Sequence, residues 1–296
     1  TVAFPANASG IVVNNADGLL KMDGSGSTLG AAQVTAVSNT GKGVQVHKSS
    51  TISDLKVLAD AKLNIAGGET LSGSTEIAAN KTLSLIGTGT FGSTLNLEGT
   101  LEAGANLTVS GLISVGGDSA AISIPAAGTE LSYRGGTINI GAHTLSIGGA
   151  GKFQINYMRG LVLDVADSIL NLTGSGTIQG PVRLEKGTVK STGSPTISLY
   201  GALWYQNPAL LADVTIDVAT GQTLTWTNPD GLEKGLSLGA NTLTLSGGGT
   251  FNNTNALVLN NADSLLSLEG IGTIGGVNAT DNASSGKGIQ VVESAT

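Results

Sequence analysis

The chain reads as an all-β protein, and within that class as a parallel β-solenoid of about 20 residues per turn. Three observations predict this: apolar residues that alternate over short segments, a glycine-rich and charge-poor composition, and long motifs recurring in order. The motif TLSLIGTGTF at 82–91 returns as TLSIGGAGKF at 144–153 and TLTLSGGGTF at 242–251. A second, GIVVNNADGLLKMDGSGSTLG at 10–30, returns as GLVLDVADSILNLTGSGTIQG at 160–180 and ALVLNNADSLLSLEGIGTIGG at 256–276. A weaker pair sets LADAKLNIAGGETLS at 58–72 against LADVTIDVATGQTLT at 211–225. Equivalent motifs lie 62, 98 and 96 residues apart, each near a multiple of about 20, the length of one turn of a three-sided solenoid.

Each element follows from the same chemistry. Period two over four or five residues, bounded by Gly, Asn and Asp, is the pattern of a strand with one buried face. It predicts Leu83, Leu85, Leu145, Ile147, Leu243 and Leu245 stacked in the interior, with Thr, Ser and Asn facing water. Gly and Asn fall between strands, where corners need positive φ at little steric cost. No stretch has convincing helical spacing; LLADVTIDVA at 210–219 is the nearest and reads better as a strand. The whole chain, 1–296, is expected to form one continuous solenoid of about fourteen turns, a rod on the order of 70 Å long. The copies differ in loop length. Phe153 to Leu161 spans eight residues and Phe251 to Leu257 six, which leaves a two-residue insertion in QINYMRG. Leu71 to Leu83 is twelve residues, Leu131 to Leu145 fourteen and Leu224 to Leu243 nineteen, so the third copy is expected to bulge outward at 225–235.

Composition narrows the function classes. Gly supplies 45 of 296 residues, charged residues 12%, aromatics 3% and Cys none. Mean hydropathy of +0.21 sets the chain apart from disordered sequences, which are apolar-poor. Gly has no period of three and Pro only 6 positions, which removes collagen. A net charge of −7 with scattered Lys and Arg argues against nucleic acid, whose phosphates demand a basic face. No apolar run approaches the ~20 residues of a membrane span. Without Cys, disulfide staples and thiolate metal sites are excluded. The chain begins TVAF with no Met and no signal-like segment, which reads as a processed product or an excised piece.

The stretch LTWTNPDGLEKGLSLGANTLTLSGGGTF at 224–251 carries a Trp, a GL-x-K and a G-x-x-TLTLSG. It resembles the passenger-associated repeat of secreted bacterial surface proteins: autotransporter passengers and filamentous-haemagglutinin-like adhesins with right-handed, pectin-lyase-like β-helices. About 30 residues match well, and GANTL stands where that family has GAGTL. The resemblance implies an extracellular, cell-surface, non-enzymatic rod with no cofactor, whose partners would be a surface glycan or host receptor.

Enzymes that cut polysaccharides share that fold and are the rival reading. Their chemistry needs carboxylates converging on one outward face. Asp164 and Asp167, and Asp213 and Asp217, are close in sequence. Asp17, Asp167 and Asp263, however, recur at one place in three copies of the second motif, which points to a corner Asx turn rather than to catalysis. His47 and His143 are the only histidines and have no acidic ligand at metal spacing; no catalytic or metal residue is expected. Ice binding would want Thr-x-Thr on one flat face in every turn, and only Thr223, Thr225 and Thr227 give such a row. One cluster is less bland. Tyr200, Trp204, Tyr205 and Trp226 gather around the longest loop, with Asn228, Asp230 and Glu233 close by. Exposed rings stack on sugar faces, so Trp226, Trp204, Tyr205, Asn228 and Asp230 form the candidate ligand site; the alternative is that the rings fill the interior or cover a loop base.

Finally, the chain ends on words it used near its start. GKGVQVHKSST at 41–51 is answered by GKGIQVVESAT at 286–296, and 8–51 aligns with 254–296 through a single one-residue gap. Capping turns need distinct, polar sequences, so the echo predicts a superrepeat of about 245 residues with 254–296 opening the next copy. The parent gene is then expected to continue with something close to ISDLKVLADAKLNIAGG. The alternative is end-to-end stacking of separate chains through their edge strands.

Overall fold

A computed structural model describes residues 10–156, 160–198, 210, 212–227, 236–254 and 256–293. Among them there is no helix, and every ladder between named strands is parallel. The chain is a parallel β-solenoid of about 11 turns, with about 23 residues in each. The turn length is close to the expected 20 or so residues, and the turns are somewhat fewer than the fourteen expected. Turn length varies: Leu85 pairs with Ala103, eighteen residues on, whereas Ile216 pairs with Leu245, twenty-nine on. That longest turn contains 225–235, most of which lies outside the described residues.

The chain divides into two compact units, Thr1–Ile138 with Gly149–Gln154, and Asn139–Gly148 with Ile155–Thr296. In the first unit each turn feeds three ladders. One runs Met22, Val46, Ile65, a second Val13, Val34, Val57, Ile77, Leu97, Val115. The third runs Ser50, Leu71, Phe91, Val109, Tyr133. These side chains are buried, and Tyr133 closes on Phe153 at a ring distance of 6.3 Å. In-register stacking sets neighbouring turns about 4.8 Å apart, so the core is a set of largely apolar columns rather than a central cluster.

The second unit repeats the scheme. Leu145, Leu170, Val189, Ile216, Leu245 and Leu268 form one column, and Val214, Leu243 and Leu266 its neighbour. All six leucines and isoleucines expected inside are buried. Glycines at positive φ open the strands Gly43–Val46 and Gly187–Ser191, but Gly73, the tightest, sits inside the strand Thr70–Ile77: at φ +119°, a Cβ there would lie 1.8 Å from the Ile52 carbonyl oxygen. This is where the ladder between Ser50–Val57 and Thr70–Ile77 shifts register.

Candidate functional site

Of the five residues expected to bind a ligand, Trp204, Tyr205, Asn228 and Asp230 lie outside the described residues. Trp226 is described, and it faces inward. It sits in the strand Thr223–Thr227, whose alternation turns Thr225 and Thr227 outward and the indole into the column Ile197, Trp226, Asn253. The ring is 5% exposed and meets Phe251 edge-on at 6.4 Å. A side chain so placed offers no platform to a sugar, and its chemistry here is packing. The period-two pattern TLTWT contained this outcome, because Trp226 is in phase with Leu224.

Three of the acids singled out by sequence, Asp164, Asp213 and Asp17, bond to a neighbouring turn. Asp164 accepts the Gly141 amide at 2.9 Å and the Ser168 hydroxyl at 3.3 Å; Ser168 donates to the Gly141 carbonyl at 2.7 Å. Asn260 and Ser264 repeat this clamp on Gly239, at 3.1 and 2.5 Å. Asp213 accepts the Thr242 amide at 2.7 Å. The Asx turn, however, is not made by Asp17 or Asp263. Asn15 and Asn261 make it, each accepting the backbone N–H of the aspartate two residues on, at 2.9 and 2.8 Å. An Asx turn reaches forward by two residues, so Asp17 and Asp263 are the positions reached; Val165 stands two residues before Asp167. The side chain of Asp17 instead accepts from Asn39, 22 residues on, at 2.9 Å.

One ionic rung escaped the sequence reading. Glu69 accepts both the Ser49 hydroxyl (2.8 Å) and the Ser49 amide (2.7 Å), with Lys48 at 3.6 Å. The Ser49 hydroxyl, then its amide, hold the Glu69 carboxyl below its ordinary range. Only the turn length could have shown that residues 49 and 69 meet. His47 lies 2.8 Å from Asp23 on an exposed surface. No group of three or more His, Cys, Asp or Glu is placed to hold a metal ion among the described residues.

The outward faces carry hydroxyl rows that run across the turns. Register aligns Thr177, Thr196 and Thr225; Thr223, Thr250 and Thr273; and Thr188, Thr215 and Thr244. The first row breaks at Asn252, the last leads from Thr244 to Ser267, which is buried, and the row beside it runs Asn171, Lys190, Asp217, Ser246. Such a surface is polar and mixed in charge. No family model matches the chain, and no match is found among curated proteins or solved structures.

Proposed function

We propose that this chain is a structural rod segment of an extracellular bacterial adhesin or surface filament, built as a right-handed, three-sided β-helix, and that it does no chemistry. The observation that carries the reading is the way polar side chains are used. Asp164, Asp213, Asn260 and Glu69 bind backbone amides or hydroxyls of a neighbouring turn, so they serve the repeat. The likeness of 254–296 to 8–51 supports it as well, because tandem copying lengthens a solenoid without changing its faces.

Two measurements test this. The purified chain is incubated with acidic and neutral polysaccharides, and release of unsaturated or reducing ends is followed; none is expected, and turnover would make it a carbohydrate-active enzyme. Protease treatment of intact cells bearing the parent protein should remove the epitope of this segment. Full protection on intact cells would overturn the surface location. Glycan-array binding abolished by deleting 227–233 would make the segment a glycan-binding module.

A further inference from the structure

The first and last copies of the second motif share their backbone corner bonds, although Asn39–Asp17 and Ser264–Gly239 each occur in only one of the two. Asn15 and Asn261 make the same Asx turn. Gly18 and Ser264 donate their amides to the carbonyls of Asn15 and Asn261, both at 2.9 Å. Gly43 and Gly288 donate theirs to Gly18 and Ser264 in the turn before, at 2.9 and 2.8 Å. Gln45 and Gln290 each bond a glycine carbonyl four residues back, Gly41 and Gly286, at 2.9 and 2.7 Å. The ladders agree too: Leu20 with Val44, and Leu266 with Ile289.

What differs is the far side. Val44 and Val46 are 1% and 0% exposed because Leu63 and Ile65 of the following turn lie directly on them. Ile289 and Val291 are 52% and 65% exposed. They end two inward columns, Val214–Leu243–Leu266–Ile289 and Ile216–Leu245–Leu268–Val291. Within its sheet the strand Gly288–Glu293 is hydrogen-bonded on one side only. An edge with an apolar floor and unpaired amides is a template for another strand.

We infer that Gly288–Glu293 is an acceptor edge for one further solenoid turn of the chemistry of residues 52–77, taken in parallel and in a fixed register. A Leu equivalent to Leu63 then stands on Ile289, and an Ile equivalent to Ile65 on Val291. The internal copy supplies the occupant. Residues 52–65 are what covers the same turn in the first unit, where Ser50–Val57 pairs on Ser27–Val34 and Ala61–Ile65 on Gly43–Val46, and Thr70–Ile77 pairs in its turn on Ser50–Val57. In sequence Thr296 aligns with Thr51, so Ile52 is the next residue of the copy. The same edge is closed to helices and to strands lacking alternate apolar residues, which cannot fill both columns at once. The inference deepens the rod reading but does not depend on location or on the absence of catalysis.

The test extends the chain by appending the sequence of residues 52–77 directly after Thr296, and compares it with the same extension carrying Asp at the appended copies of Leu63 and Ile65. Hydrogen exchange at the Ile289–Val292 amides should slow at least tenfold in the first and stay at the unextended rate in the second. The appended turn should resist protease only in the first. Equal exchange in both, or equal cleavage, overturns the proposal. So does protection of Ile289–Val292 in the unextended chain that grows with protein concentration, since the occupant is then the edge of a second copy. Polysaccharide turnover would leave this result untouched, so the two readings fail separately.

Discussion

The turn at 10–46 and the turn at 256–293 are the same piece of structure in two environments. Their Asx turns and backbone corner bonds agree in partner and nearly in length. Their buried residues do not: Val44 and Val46 are interior, and Ile289 and Val291 are exposed. The other side is reversed in a milder way, since Val12 and Leu19 are exposed where Val258 and Leu265 are half-buried. Conformation within a turn is therefore local, whereas burial belongs to the pair of turns. A solenoid whose stability is a sum of turn and neighbour terms behaves in this way.

That comparison can be broken most forcefully at its apolar columns. Val44→Asp buries an unpaired carboxylate beneath Leu63 and should cost on the order of 3–5 kcal/mol. Val291→Asp leaves its carboxylate in water and should stay within about 0.5 kcal/mol. Denaturant unfolding with hydrogen exchange along 11–65 and 257–292 separates them; equal losses would mean that burial by the next turn is not the deciding factor.

A smaller contrast lies at two glycines with one backbone conformation. Gly43 has φ +89° and Gly288 φ +88°. A Cβ on Gly43 would stand 2.4 Å from the Lys62 carbonyl oxygen, whereas on Gly288 its nearest neighbour is the Ala283 methyl at 3.1 Å. Gly288→Ala should cost about 1–2 kcal/mol, the strain of a left-handed L-residue. Gly43→Ala should add about 1–3 kcal/mol for displacing the covering strand. Thermal melts of the two variants give the difference directly.

The corner asparagines should show the opposite pattern, with no contrast at all. Asn15→Ala and Asn261→Ala each remove one side-chain hydrogen bond to an exposed turn, worth about 1 kcal/mol in either copy. A clear inequality between them would show that the corner, too, depends on the turn beyond it.

The least effect is expected from the ionic rung that ties the first copy to its covering turn. Glu69 has a lowered carboxyl pKa through Ser49. Its stabilisation is therefore full above the unfolded value, about 4.3, and is lost as pH falls through the lower folded value. Melting temperature should drop in that acid window in the native chain, and Glu69→Gln should flatten the drop slightly. An identical acid profile in both would remove Glu69 from the account.

Much of this was legible beforehand, for identifiable reasons. TLSL, TLTL and ILNL declare their inward residues, because side chains on a strand alternate whatever lies next to it. The NNAD corner is equally local, although the role of its Asp was misassigned by two residues. Trp226 was weighed as a sugar contact on the strength of its aromatic neighbours in sequence, yet its phase with Leu224 sends it into the core. The Thr rows and the Ser49–Glu69 contact were invisible, since they join residues a full turn apart and turn length is set by corners that obey no period.

What the sequence determined alone is the strand, its inward face, the corner turn and the fact that a long stretch is used twice. These depend on backbone geometry and on neighbours within a few residues. Which residue lies above which, how many residues make each turn, and whether Val44 or Ile289 is dry were decided only in the tertiary structure. A residue in a solenoid is buried by a strand about 23 positions away, and whether that strand is present and in register is not written in the residue itself.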